Sequence, residues 1–162
     1  MIYLKWRQWF DSWNLKSVKL KSSILDMEFE PLNEDKNAAW ELYIELSTRI
    51  TTQPLPETAG DNLAALESVY VIFELTREIL KKYNRSCIEF SKLAIPILNE
   101  MIRPFTAKWH PISKREGLND KNNEEFKKDL KALQKELIVY TGMLGDMAGL
   151  ESTENLIKLQ YM

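Results

Sequence analysis

The chain has 162 residues, 44% of them hydrophobic and 28% charged, with 24 acidic against 22 basic side chains for a formal net charge of −2. That balance fits one ordered globular domain and excludes a collagen-like, low-complexity or highly charged disordered polymer. A near-neutral total gives no global electrostatic reason to bind nucleic acid. A lone cysteine and a lone histidine supply neither a disulfide framework nor a zinc or haem ligand set, so no metal or cofactor is expected.

The first thirteen residues lack the apolar core and small-residue cleavage site of a signal peptide, and no apolar run reaches the roughly 20 residues that span a bilayer. A cytoplasmic protein without a membrane partner is the expectation. Trp6, Trp9, Phe10 and Trp13 fall on a short helix and are more aromatic surface than a small bundle needs, so they read as an association surface.

Between residues 15 and 30 the apolar period changes from 3.6 to 2. Val18 and Leu20 alternate with lysines, then Leu25, Met27 and Phe29 alternate with Asp26, Glu28 and Glu30. Either a hairpin turns at Ser22-Ser23, with Val18 beside Met27, or one strand carries a bulge there. With no other strand in the sequence, either form leaves free edges, so Leu25, Met27 and Phe29 join the expected interface and a dimer or a protein partner is expected to complete it.

From residue 33 onward the period is helical. Asn33 caps a helix with Ala39, Tyr43, Leu46 and Ile50 on its face, widened by Trp40 and Ile44. A second helix starts near Asp61 and runs through Leu66, Val69, Phe73, Thr76 and Leu80 to Asn84. A third starts near Ser86, carries Phe90, Ala94, Ile97, Met101 and Phe105, and is kinked by Pro96. The fourth, about 122 to 148, bears the strongest pattern: Phe126, Leu130, Leu133, Leu137, Tyr140, Leu144 and Met147, with Asn122 or Asn123 as cap, Gly149 as stop, and Gly142 and Gly145 as weak points. A short helical piece follows within 151 to 160. The fold class is mainly α: an up-and-down bundle of four main helices with a short N-terminal helix and a strand or hairpin at about 15–30. It forms one domain, 1–162, in which 1–32 is the association segment and 33–162 the bundle.

Chemistry is concentrated in one place. Residues 103 to 110 hold Arg103, Phe105, Lys108, Trp109 and His110 between Pro104 and Pro111. Pro104 suits the first turn of a new short helix that ends before Pro111. Seven residues are nearly two helical turns, so Arg103 and His110 share a face about 10 Å apart along the axis. Arginine stabilises charge on a phosphoryl group while histidine moves a proton. The same residues also read as packing for Phe105 and Trp109, or as a recognition cluster in which Lys108 and Trp109 bind a partner or stack a base. Elsewhere Glu41, Glu45 and Arg49 stack at four-residue intervals, and Arg77 and Glu78 project beside the seam of the second helix, where pairing with Glu45 is expected. Cys87, beside Ile88 and Phe90, reads as a core residue.

The Arg103-x6-His110 pattern on a helical bundle resembles the HEPN ribonuclease superfamily. That resemblance implies a dimer bringing two such motifs together and metal-independent RNA cleavage by Arg103 and His110, in toxin or phage-defence settings. Pro104 follows the arginine where that family commonly carries a polar residue. Three functions follow from the sequence. The first is an interaction or accessory module that self-associates or docks on a partner, in a defence or toxin complex; the second is a HEPN-like ribonuclease acting on RNA. The third is a regulatory subunit sensing a nucleotide through Arg49, Arg77 and Arg103.

Overall fold

The computed structural model describes residues 4–13, 27–49 and 62–150. Its elements are β1 (Leu4–Lys5), α1 (Trp6–Trp13), β2 (Glu28–Phe29), α2 (Asn33–Ser47), α3 (Asn62–Tyr83), a 3-10 turn (Asn84–Cys87), α4 (Ile88–Ile97), a π turn (Leu98–Ile102), α5 (Arg103–Arg115) and α6 (Asn123–Met147). The fold is mainly α, a bundle in which α2 packs along α6 and against α3 and α4, while α5 packs against α3 and α6. No helix among the described residues is long and apolar enough to cross a membrane.

The heptad pattern of the last helix translates directly into packing. Phe126, Leu130, Leu133, Leu137, Tyr140, Leu144 and Met147 are all buried. Gly149 closes the helix at φ +88°, and the Gly149 and Leu150 amides bond back to the Asp146 and Gly145 carbonyls at 3.0 and 2.9 Å. Asn122 stands at the N-cap position, yet its side chain does not bond the first turn. It accepts the Asn119 N–H at 3.0 Å and donates to the Gly117 carbonyl at 3.0 Å, fastening the preceding loop instead. Nearby, the Asn62 side chain at the start of α3 donates to Asn123 at 2.6 Å.

The start of α2 differs from the expected asparagine cap. Leu32 is the N-cap, and the Asp35 carboxylate in the first turn accepts the Leu32 N–H at 2.8 Å. The helix ends at Ser47, and its buried face is Asp35, Ala38, Ala39, Leu42, Tyr43 and Leu46. Trp40 and Ile44 do not widen that face; they are exposed at 45% and 41%. Ile50 and Asp61 lie outside the described residues, as does the segment 151–160.

The third predicted helix exists as α4 and α5 joined through the π turn, with Phe90, Ala94, Ile97, Met101 and Phe105 buried along it. Pro96 lies within α4, and the π turn comes after it, ahead of Pro104. There the Arg103 N–H reaches back five residues to the Leu98 carbonyl. A wider turn at this point is the expected accommodation of Pro104, which brings no N–H and whose ring crowds a straight α-helical turn. Beyond it α5 does not stop before Pro111 but continues to Arg115.

The β element also differs from the expectation. Glu28–Phe29 pair antiparallel with Leu4–Lys5, Leu4 opposite Phe29, and the Trp6 N–H extends the ladder to the Met27 carbonyl at 3.1 Å. The alternating pattern carried no sign of that partner, because two residues are too few to show a period. The hairpin at Ser22-Ser23, Val18 and Leu25 lie outside the described residues.

Candidate functional site

The aromatic N-terminus is spent on the chain's own core. Trp6, Trp9, Phe10 and Phe29 are buried and pack as one aromatic cluster, Trp6 stacked on Phe29 with ring centroids 4.2 Å apart and Trp9 meeting Trp6 edge-on. Trp9 donates its indole N–H to Asp146 at 2.6 Å and Trp13 donates to the same oxygen at 3.2 Å, which ties α1 to the last turn of α6. Trp6, Trp9, Phe10 and Phe29 therefore do not form the open surface that their number suggests, while Trp13 is half-buried. The number of aromatics in α1 does not reveal that this helix covers the end of α6. Of the expected interface, Met27 is exposed and Leu25 lies outside the described residues.

The segment 103–110 divides in two. On one side Lys108 binds Glu125 and Asp129, each at 2.6 Å, and Trp109, fully buried, donates its indole N–H to Asp129 at 3.0 Å. Hydrogen bonds from the ammonium to Asp129, then Glu125, push the Lys108 pKa up. Trp109 also packs edge-on against Phe126, 5.1 Å between centroids. This pair clasps α5 to α6, and Trp109 offers no face on which a base could stack.

On the other side Arg103 and His110 both face α3. The Arg103 guanidinium lies 5.2 Å from the centre of the Phe73 ring and donates to Asn99 at 3.1 and 3.2 Å. His110, half-buried, has its imidazole centroid 5.0 Å from that of Tyr70, and Tyr70 and Phe73 are 6.2 Å apart. Because α3 and α5 run antiparallel, the pair flanks an aromatic strip, with exposed Arg77 one turn beyond Phe73 and exposed Lys114 one turn beyond His110. The sequence had no means of finding Tyr70, since its role depends on which helices become neighbours.

A different surface opens between α2 and α3: a groove of about 370 Å³ lined by Trp40, Glu41, Ile44, Glu45, Leu75, Glu78, Ile79 and Lys82. Trp40 and Ile44 are one turn apart on its lip. Trp40 stacks on buried Tyr43, with centroids 5.8 Å apart and planes at 23°, so the exposed indole has a firm backing. The expected Glu41, Glu45 and Arg49 row is split. Arg49 pairs with Glu45 at 2.8 Å, while Glu41 reaches across the groove to the Lys82 ammonium and the Tyr83 hydroxyl. Burial pushes the Glu41 carboxyl up, but the hydrogen bonds from Lys82 and Tyr83 and the ammonium charge outweigh it and hold the pKa below its ordinary value. Glu78 faces the same groove as Glu45 and makes no ion pair among the described residues; Glu45 is taken by Arg49. Arg77 is exposed on α3 and does not line this groove.

Cys87 is buried, its thiol 3.3 Å from the Asn84 carbonyl, and burial together with the Asp35 charge pushes its pKa up, away from a nucleophilic thiolate. Among the described residues no group of three or more histidine, cysteine, aspartate or glutamate side chains could hold a metal ion. Comparison with protein-family models, curated proteins and solved structures returned no match for this chain. The HEPN resemblance thus rests on the Arg103–His110 spacing and on the helical bundle that carries it.

Proposed function

We propose that this chain is a helical interaction module that docks an amphipathic helix of another protein in the groove between α2 and α3. One observation carries the reading: Trp40 and Ile44 stay exposed, a turn apart, above a groove floored by apolar Leu75 and Ile79. Large apolar side chains left exposed to water on a rigid helix are the composition of a binding hot spot, and tryptophan is among the residues most enriched there. Both lie on an α2 whose opposite face is fully packed, so their exposure is not a by-product of loose folding.

The test is selection from a displayed library of helical peptides with leucines at i, i+3/i+4 and i+7 and random residues between. Wild-type protein is expected to enrich peptides that the Trp40→Ala variant does not retain, with the variant's melting temperature unchanged within a few degrees. Peptides indifferent to Trp40→Ala would refute the groove.

A second reading, RNA cleavage by Arg103 and His110, draws support from the pairing of both side chains with the α3 aromatic strip and from the two further cations on that face. It expects metal-independent cleavage that His110→Ala abolishes.

A further inference from the structure

The groove's lip is apolar and its charge is uneven: among its lining residues three carboxylates, Glu41, Glu45 and Glu78, face one ammonium, Lys82. Two of the three are already answered, Glu41 by Lys82 and Glu45 by Arg49, and Glu78 is left without an ion-pair partner among the described residues. Glu78, Leu75 and Lys82 occupy successive turns of α3, and Trp40, Ile44 and Glu45 face them from α2, so apolar and acidic positions repeat at helical spacing over about two turns.

From this pattern we infer that the occupant is a basic amphipathic helix of a different protein, whose apolar residues seat on Trp40, Ile44, Leu75 and Ile79 and whose lysine or arginine meets Glu78. The inference rests on the docking reading above. Charge complementarity selects this occupant over a second copy. In a two-fold dimer built on this surface the same patch meets itself, and it brings no spare cation to Glu78, because its lining ammonium Lys82 is engaged by Glu41 and the neighbouring Arg49 by Glu45. An acidic or neutral helix would bury Glu78 with no counter-charge.

The experiment reads the residues enriched in the displayed library. The expected result is lysine or arginine beside the leucine stripe, tightest binding by the most basic peptides, and about a tenfold loss of affinity for Glu78→Lys, a surface substitution that leaves the melting temperature in place. Trp40-dependent peptides that are neutral or acidic, or that bind Glu78→Lys as tightly as wild type, would overturn the inference and leave the docking reading standing. Absence of any Trp40-dependent peptide would overturn both. Sedimentation of the full chain provides the second arm: a dimer abolished by Trp40→Ala would assign the groove to a second copy and contradict the inference.

Discussion

The Asp35 carboxylate, buried in the first turn of α2, accepts the backbone N–H of Phe90 at 2.9 Å, fifty-five residues further along the chain. Phe90 is in the first turn of α4, where amide donors have no partner within their own helix. With its other oxygen Asp35 accepts the Leu32 N–H. One side chain therefore caps two helices and fixes where α4 starts relative to α2. Asp35→Ala strands two amide donors and is expected to cost about 2–4 kcal/mol in urea unfolding, with Asp35→Asn, which keeps one acceptor, in between. A loss under about 1 kcal/mol would show that the bridge is not holding the two helices.

Gly142 has a packing reason to be glycine. A Cβ there would stand 2.7 Å from the Trp13 ring, so the residue lets the indole come close against α6 while its N–H reaches Asp146. Gly142→Ala is expected to displace Trp13 and change its fluorescence. In a Trp13→Ala background the same substitution should stabilise the protein by about 1 kcal/mol, the ordinary helix preference for alanine over glycine. Equal effects in the two backgrounds would rule out the contact.

The Glu41–Lys82 link across the groove has a defined pH window. Glu41 titrates below its ordinary value of 4.5, so its contribution is complete above that value and fades as pH falls through the lower folded pKa. Lys82 is raised above 10.5, chiefly by its hydrogen bond to Glu41, so its contribution is complete below that value and fades as pH rises through the higher folded pKa. The destabilisation caused by Glu41→Gln should be flat across neutral pH and shrink at both extremes. A penalty that grows toward low pH would contradict the assignment.

Much of the fold was legible because burial follows period. The α6 seam and the third-helix face could be read residue by residue, since each apolar position recurs on one side of a helix long enough to average out exceptions. The failures have physical causes of their own. Trp40 and Ile44 extend an apolar stripe on α2, and a stripe cannot say whether its margin meets the core or solvent. The N-terminal tryptophans looked surplus because the sequence does not say that α1 covers the end of α6 through Asp146. Trp109 looked like a stacking platform until Asp129 and Phe126 came to it from another helix. At the candidate sites, Arg103 and His110 are legible as a pair on one helix face and Glu78 as a neighbour of Glu45, but Tyr70, and the setting of Phe73 against Arg103, enter only through the packing of α3.

The central claim is that the α2–α3 groove is the docking surface, and nuclear magnetic resonance tests it most directly by following assigned signals as a lysine-bearing amphipathic peptide is added to the full chain. The account expects saturable shifts at the Trp40 indole N–H and at the Ile44 and Glu78 amides, with Tyr70, Arg103 and His110 unmoved. Shifts centred on Tyr70, Arg103 and His110, with Trp40 silent, would contradict it.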